Sequence, residues 1–181
     1  MQAPVLLTER LILRQHEPQD FDAWADFHAD EETMRYLGGV QPRSLAWRSF
    51  CAMVGAWPMR GFSMFAVIER DTGRWVGRVG PHAPDGWPAP EIAWGVSRAF
   101  AGRGYAYEAA VAAIDFAFDT LGWAEVTHTI VPENLRSITL AKRVGSANRG
   151  RTQLPEPYAT LEIDCWAQSA EDWRARRTAR G

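Results

Sequence analysis

The spacing of apolar residues changes several times along the chain, and each change predicts an element. Leu6 to Arg14 (LLTERLILR) is rich in aliphatics and predicts a strand. Pro18 opens a stretch in which Phe21, Trp24, Ala25 and Phe27 recur at helical spacing. The acidic segment from Asp30 to Leu37 ends in Gly38 and Gly39, which reads as a helix stop. Ser44 is placed to cap a further helix running to about Trp57, ahead of Pro58. Phe62 to Glu69 and Arg74 to Gly80 read as a hairpin around the turn residues Asp71, Thr72 and Gly73. Beyond a Pro- and Gly-rich loop at 80–90, Glu91 to Val96 predicts another strand. Tyr105 to Leu121 has the clearest helical face, with Ala109, Ala112, Ala113, Phe116, Ala117 and Leu121 on one side. Glu125 to Val131 predicts a strand, Asn134 to Val144 a helix stopped by Gly145, and Tyr158 to Trp166 a late strand. Ala170 to Arg180 reads as a short, very basic, helical tail.

This order is a strand, helices, an antiparallel group, then strand–helix–strand–helix–strand. It predicts a mixed α/β sheet rather than a doubly wound one, because the first half supplies a hairpin in place of crossovers. The 181 residues suit one domain, and no linker divides them. A net charge of −2 leaves no global basic field for nucleic acid or an anionic membrane. The two cysteines, Cys51 and Cys165, form no CxxC pair, which argues against a disulfide scaffold and a thiolate zinc site and for a reducing compartment. No apolar run approaches about 20 residues and no signal peptide is visible, so a cytoplasmic location and no membrane span are expected. Nine tryptophans are many for this length and read first as packing.

Two segments carry candidate chemistry. Gly102-Arg103-Gly104-Tyr105-Ala106 lies between a strand and the best helix. The glycines permit a tight turn and close backbone approach, and the helix start offers unpaired N–H groups and a positive dipole end. An anion site for a phosphate or pyrophosphate and a plain glycine turn are both open readings; Arg98 and Arg103 add charge to the first. A P-loop is excluded because Tyr105 follows Gly104, and a Rossmann fingerprint because Tyr107 stands at its third glycine. In the second segment, VPENLRS, Asn134 reads as an N-cap, and Ser137 in the first helical turn points toward the mouth of the sheet. His28 with Asp30, Glu31 and Glu32 reads as a solvated face, His82 and His128 as isolated packing residues, and no metal is expected. Ser63 lacks the second glycine of a nucleophile elbow. The tail arginines (Arg174, Arg176, Arg177, Arg180) read as a solvated terminus, and Lys142, the only lysine, is assigned no role.

Taken jointly, EIAWGV, AGRGYAYEA, the long helix, VTHTIV and PENLRS resemble the GNAT superfamily of acyl-CoA N-acyltransferases, nearest the ribosomal-protein-alanine N-acetyltransferase branch. The opening LLTERLILRQHEPQDFDAW and the hairpin FAVIERDTGRWVGRVG extend the resemblance from Leu6 to about Trp166. It implies a single domain over 1–181, with the basic tail at about 170–181. It also implies a mixed, largely antiparallel sheet with a splayed parallel strand pair, flanked by helices. Acetyl-CoA would be the cosubstrate, with no metal. Backbone groups of Trp94, Gly95 and Val96 would hold the pantetheine, and the N–H groups from Arg103 to Ala106 the pyrophosphate on the Gly102–Gly104 loop. Asn134 and Ser137 would flank the pantetheine and the sulfur. The family pattern [QR]xxGx[GA] has Ala99 in its first position here, with Arg98 one residue early, and Ser146 stands after Gly145 where relatives often carry a bulky residue.

Acetylating an amine requires removing its proton and stabilising the departing thiolate. Glu91, at the start of the cofactor strand, is the first choice for the base, against the alternative of an exposed strand-end carboxylate; Glu156 is the second. Ser137 is the first choice as the thiolate's partner, with Tyr158 as its alternative. The implied acceptor is a primary amine, either a small molecule or a protein N-terminus, and the protein would be a monomer or homodimer. A non-catalytic acyl-CoA-binding module on the same fold, and a longer acyl donor, are the competing readings. Trp47, Trp57 and Trp87 either line an acceptor pocket or pack the core.

Overall fold

The computed structural model describes residues 3–179. Eight strands form one sheet: β1 (Leu6–Leu7), β2 (Leu11–Arg14), β3 (Phe65–Glu69), β4 (Trp75–His82), β5 (Glu91–Val96), β6 (Glu125–Ile130), β7 (Ala147–Thr152) and β8 (Ile163–Ser169). Their order is β1-β2-β3-β4-β5-β6-β8-β7, and every neighbouring pair is antiparallel except β5–β6. Six helices accompany them: α1 (Phe21–Ala29), α2 (Glu31–Met34), α3 (Arg43–Arg60), α4 (Tyr105–Asp119), α5 (Leu135–Val144) and α6 (Ala170–Thr178). The expected mixed, mainly antiparallel sheet with one parallel pair is therefore present.

The sheet is covered on both faces, which is why β3 is buried at all five positions. Phe65 and Val67 join Leu11, Leu13 and Val79 in a core closed by Ala109, Ala110, Ala113 and Ala117 of α4. Ala66 and Ile68 point the other way, into a second core with Trp24, Phe27, Met34 and Phe50 from α1, α2 and α3. Small residues along α4 let its axis lie close to the sheet. Trp57 belongs to the α4-side core, and Trp47 is exposed, so neither reaches the cavity described below. The last helix is docked through Trp173, which is buried and donates to Asp115 of α4 at 2.8 Å, while Arg174, Arg176 and Arg177 stay exposed, Arg177 pairing with the same carboxylate. Arg180 lies outside the described residues.

Several boundaries differ from expectation for local reasons. The first strand is two, because the Thr8 hydroxyl accepts the Leu11 N–H at 3.0 Å and turns the chain back. Helix α3 starts after Pro42 instead of being capped by Ser44, and it runs through Pro58 to Gly61, whose φ is +79°. Pro58 cannot donate to the Val54 carbonyl, and Gln15 Nε2 approaches that oxygen at 3.4 Å. The late strand begins at Ile163, because the Pro155–Tyr158 turn and a second turn at Tyr158–Leu161 occupy the earlier residues. Strand β7 was not expected, since ANRGRT has no apolar alternation and is almost wholly exposed.

Strand β4 carries a bulge opposite Val67–Ile68, and just past it Gly77 faces Val96. A Cβ on Gly77 would lie 2.2 Å from the Gly95 carbonyl oxygen and 2.9 Å from Val96 Cα. That obstacle is backbone and cannot rotate away. Gly77→Ala is therefore expected to destabilise the fold by about 1–3 kcal/mol, the usual range for overpacking, read as a lowered Tm in thermal denaturation.

Candidate active site

The parallel strands β5 and β6 meet at one rung only, Glu91 opposite Thr127, where the Thr127 N–H donates to the Pro90 carbonyl at 3.3 Å. Beyond it the strands diverge, and side chains span the opening. His128 Nδ1 donates to the Ile92 carbonyl at 2.7 Å. With Nδ1 as the donor, Nε2 is the acceptor and takes the Ser146 hydroxyl at 2.9 Å. The Glu91 carboxylate accepts from the Thr129 N–H at 3.0 Å and from its hydroxyl at 2.6 Å. Since the carbonyls of Pro90 and Ile92 both face β6, the two-residue alternation turns the backbone groups of Trp94 and Val96 toward the opening. Among the described residues no strand pairs with them there.

A cavity of about 360 Å³ opens at this divergence. Its wall brings together Glu91, Trp94, Asn134, Ser137 and Tyr158 from the expected set, together with Trp87. Glu156 is exposed and lies off this wall, as do Gly95, Val96 and the glycine loop. Sequence reasoning did not bring Arg78, His82, Trp24 or Tyr36 to the site, although all four line it. For Arg78 the available signal was a charged residue inside the apolar strand WVGRVG.

Glu91 is 4% exposed, not a solvated strand end. Burial pushes its pKa up to about 7, against the opposing pull of the Thr129 bonds and, more weakly, of Trp87 and Arg78. Both Thr129 bonds fall on Oε2, and Trp87 adds a weaker interaction with the carboxylate. Burial lowers His28, His82 and His128 to about 4, so all three are neutral at pH 7. Ser137 has its N–H taken by the Asn134 side chain at 3.2 Å, the expected N-cap bond. Its oxygen accepts the Trp94 indole N–H at 3.1 Å, so the hydroxyl proton is still available to donate. Tyr158 lies over Gly38, whose missing Cβ would sit 2.8 Å from the ring. Among the described residues no three His, Cys, Asp or Glu side chains converge as a metal site would need.

The glycine loop follows a 3₁₀ turn at Arg98–Phe100. Gly102 and Gly104 have φ of +77° and +81°, and Gly104 caps α4. The first N–H groups of α4 have no helical carbonyl to pair with. Arg10 Nη1 holds the Arg103 carbonyl at 2.9 Å, and Tyr105 donates to Glu69 at 2.5 Å, so the loop is braced from below. Arg98 lies between Asp30 (3.4 Å) and Glu32 (3.6 Å), and Arg103 is 3.6 Å from Glu69.

Residues 10–147 match the family model described as an acetyltransferase (GNAT) domain. The chain belongs to the GNAT acetyltransferase family. An uncharacterized N-acetyltransferase of Bacillus subtilis, YnaD, is 28% identical over 171 residues, covering 93% of this chain and 98% of the relative. An acetyltransferase structure from Agrobacterium tumefaciens C58 superposes with a TM-score of 0.83 at 30% identity, covering 93% of this chain and 95% of that one. A GNAT-family acetyltransferase structure from Bacillus anthracis gives 0.77 at 25% identity, with 93% and 99% covered. A GNAT acetyltransferase is thus an acyl-transfer enzyme, and the splayed pair and glycine loop are read below in that light. Among the described residues no helix is long and apolar enough to cross a membrane.

The raised pKa of Glu91 has a sign that stability measurements can read. The unfolded chain loses this proton near the ordinary carboxylate value of 4.5, whereas the folded protein keeps it to about 7. Glu91 therefore costs nothing below pH 4.5, costs increasingly between 4.5 and 7, and costs its full amount above. The Tm of Glu91→Gln minus that of the parent should rise from pH 4 to pH 8. A difference that is flat across this window would mean that Glu91 titrates normally.

Proposed function

We propose that the protein transfers the acetyl group of acetyl-CoA to a primary amine held in the β5–β6 cavity, by direct attack while both substrates are bound. The observation that carries this reading is a dry carboxylate, Glu91, with both Thr129 bonds on one oxygen, sharing a cavity wall with a serine hydroxyl at the divergence of two parallel strands. The chain's fit to the cosubstrate rests on two further features. Along β5, the backbone groups of Trp94 and Val96 face the opening left by the parting of β5 and β6, suited to the amide groups of pantetheine, with Gly95 between them. At its far end Gly102 has nothing within 4 Å of where a Cβ would stand, so a phosphate can reach the N–H groups from Arg103 to Ala106. Arg98 and Arg103 flank that loop. When bound there, acetyl-CoA supplies an activated thioester carbonyl.

The residues of the chain do the rest. Glu91 Oε1 takes the proton of the incoming amine, either directly or through a water. A pKa near 7 suits a base that must be ionised at neutral pH and yet accept a proton readily. Ser137, its oxygen already bonded by Trp94, points its hydroxyl proton at the sulfur position and stabilises the leaving thiolate. Asn134, locked as the cap of α5, sets the position of Ser137, and Tyr158 is a second hydroxyl lining the same cavity. Trp87, His82 and Tyr36 exclude water from the acceptor. No covalent intermediate on the protein is needed, because holding both reactants in line supplies much of the rate.

Cofactor placement is tested by Gly104→Val. A branched residue at φ +81° is strained and covers the N–H groups. Calorimetric affinity for acetyl-CoA should fall at least about tenfold, on the expectation that the phosphate contacts are lost. Unchanged affinity in a folded variant would remove the phosphates from this loop.

Assignment of the base is tested by comparing Glu91→Gln with Glu156→Gln in a thiol-release assay across pH. Glu91→Gln should keep acetyl-CoA affinity, lower kcat by about 100- to 10,000-fold and lose the acidic limb near pH 7. Glu156→Gln should behave as the parent does. The reverse result would move the base to the 153–162 loop.

A further inference from the structure

Arg78 is the only charged side chain of β4; it is half-buried and lines the cavity. Its surroundings are apolar and aromatic. The guanidinium carbon lies 5.5 Å from the Trp24 ring centroid and 5.8 Å from that of Phe27. Nη1 has one contact, the Met64 sulfur at 3.1 Å, and a thioether is a weak acceptor. Nε is buried with no partner at all. Among the described residues no carboxylate pairs with it. Burial lowers its pKa only to about 10, so it is still a cation at neutral pH. A partly desolvated cation whose buried Nε has no acceptor is costly, and a bound anion would offset that cost.

The groups around it narrow the choice of what completes it. His16, His28 and His82, which all feel its charge, are neutral at pH 7 and do not act as its anion. Glu91 is near enough to interact with it electrostatically but is bonded to Thr129 instead. Tyr158 adds a hydroxyl donor to the same wall. The cavity therefore presents a fixed cation at one place, a proton-accepting carboxylate at another, and apolar walls from Trp24, Met53 and Leu154 between.

We propose that the acceptor is a small amino acid in the broad sense, an amine that also carries a carboxylate, with its carboxylate bound by Arg78 and its amine presented to Glu91. This rests on the acyl-transfer reading above and narrows its substrate class. The guanidinium offers the planar two-donor edge that matches a carboxylate, and the low-dielectric wall strengthens the pair. An amine lacking the carboxylate leaves Arg78 unpaired against the cavity wall, so the site discriminates against it.

Matched pairs test this directly: phenylalanine against phenethylamine, leucine against isopentylamine, and 5-aminopentanoate against pentylamine, with an amidated dipeptide as a further acceptor. CoA release should favour the carboxylated member of at least one pair by about a hundredfold in kcat/KM, the scale expected for losing the partner of a buried charge. Arg78→Met should abolish that preference, and Arg78→Lys should retain part of it. Binding is read separately by calorimetry on the CoA-saturated protein, with N-acetylphenylalanine against N-acetylphenethylamine and the matching N-acetyl products of the other two pairs. If no amine is acetylated but a carboxylated product binds tighter through Arg78, the anion site stands and the acyl-transfer reading fails. Equal use and equal binding within every pair overturn the proposal, as does better use of the amidated dipeptide or a preference that survives Arg78→Met. Should Arg78→Met not fold, the parent's matched pairs and Arg78→Lys decide the question.

Discussion

Everything functional in this molecule follows from a parallel strand pair that is allowed to pair only once. Two adjacent parallel strands would ordinarily zip along their length, because each unpaired backbone group in a dry interior is costly. Here Glu91 and His128 take over that pairing with side chains. The imidazole satisfies the Ile92 carbonyl, and the carboxylate satisfies the Thr129 N–H. The strands can therefore part without leaving those groups stranded. Ser146 completes the arrangement by fixing the imidazole tautomer from below. Its small size and its hydroxyl explain why this position carries serine rather than a bulky side chain.

The same arrangement sets the chemistry. A carboxylate used as a bridge inside the sheet is necessarily dry, and dryness raises its affinity for a proton. Position and proton affinity are thus one property, not two. The cavity histidines His28, His82 and His128 are held neutral by desolvation, whereas the same effect raises Glu91 to about 7. The cation at Arg78 is displaced from it along β4 and does not pair with it. That separation keeps two opposite charges available to a bound molecule instead of to each other.

Much of the fold was legible in the sequence, most clearly where periodicity and punctuation agree. β5 spans Glu91 to Val96 as expected, and α5 follows its Asn134 cap and stops at Gly145. The glycine loop was legible because two glycines at positive φ leave a sequence trace. Strand β7 left none: it is recruited by pairing with β8, a tertiary event that polar ANRGRT does not announce. Helix α3 passed through Pro58 because another side chain compensates its carbonyl, which local rules cannot foresee. For the candidate site, the pattern pointed to Glu91 and Ser137, both of which line the cavity, but whether Glu91 was wet or dry depended on Thr129 and on the walls around it. Arg78 was missed because a lone arginine in a strand is ambiguous until its neighbours are known, and those come from α1, α3 and the loop before β3.

The two margins of the sheet bear on how the molecule meets its own copies. One margin is β1, only two residues long, and the other is β7, carrying Arg149 and Arg151 with a glycine at positive φ between them. Arg151 is drawn inward by Glu162 and Asp164, and the ladder to β8 shifts register between Asn148 and Arg151. A short margin on one side and a charged, irregular one on the other offer a poor template for a further strand. Lateral growth of the eight-stranded sheet is thus disfavoured by brevity at one margin, and at the other by the same polarity that left β7 without a trace in the sequence.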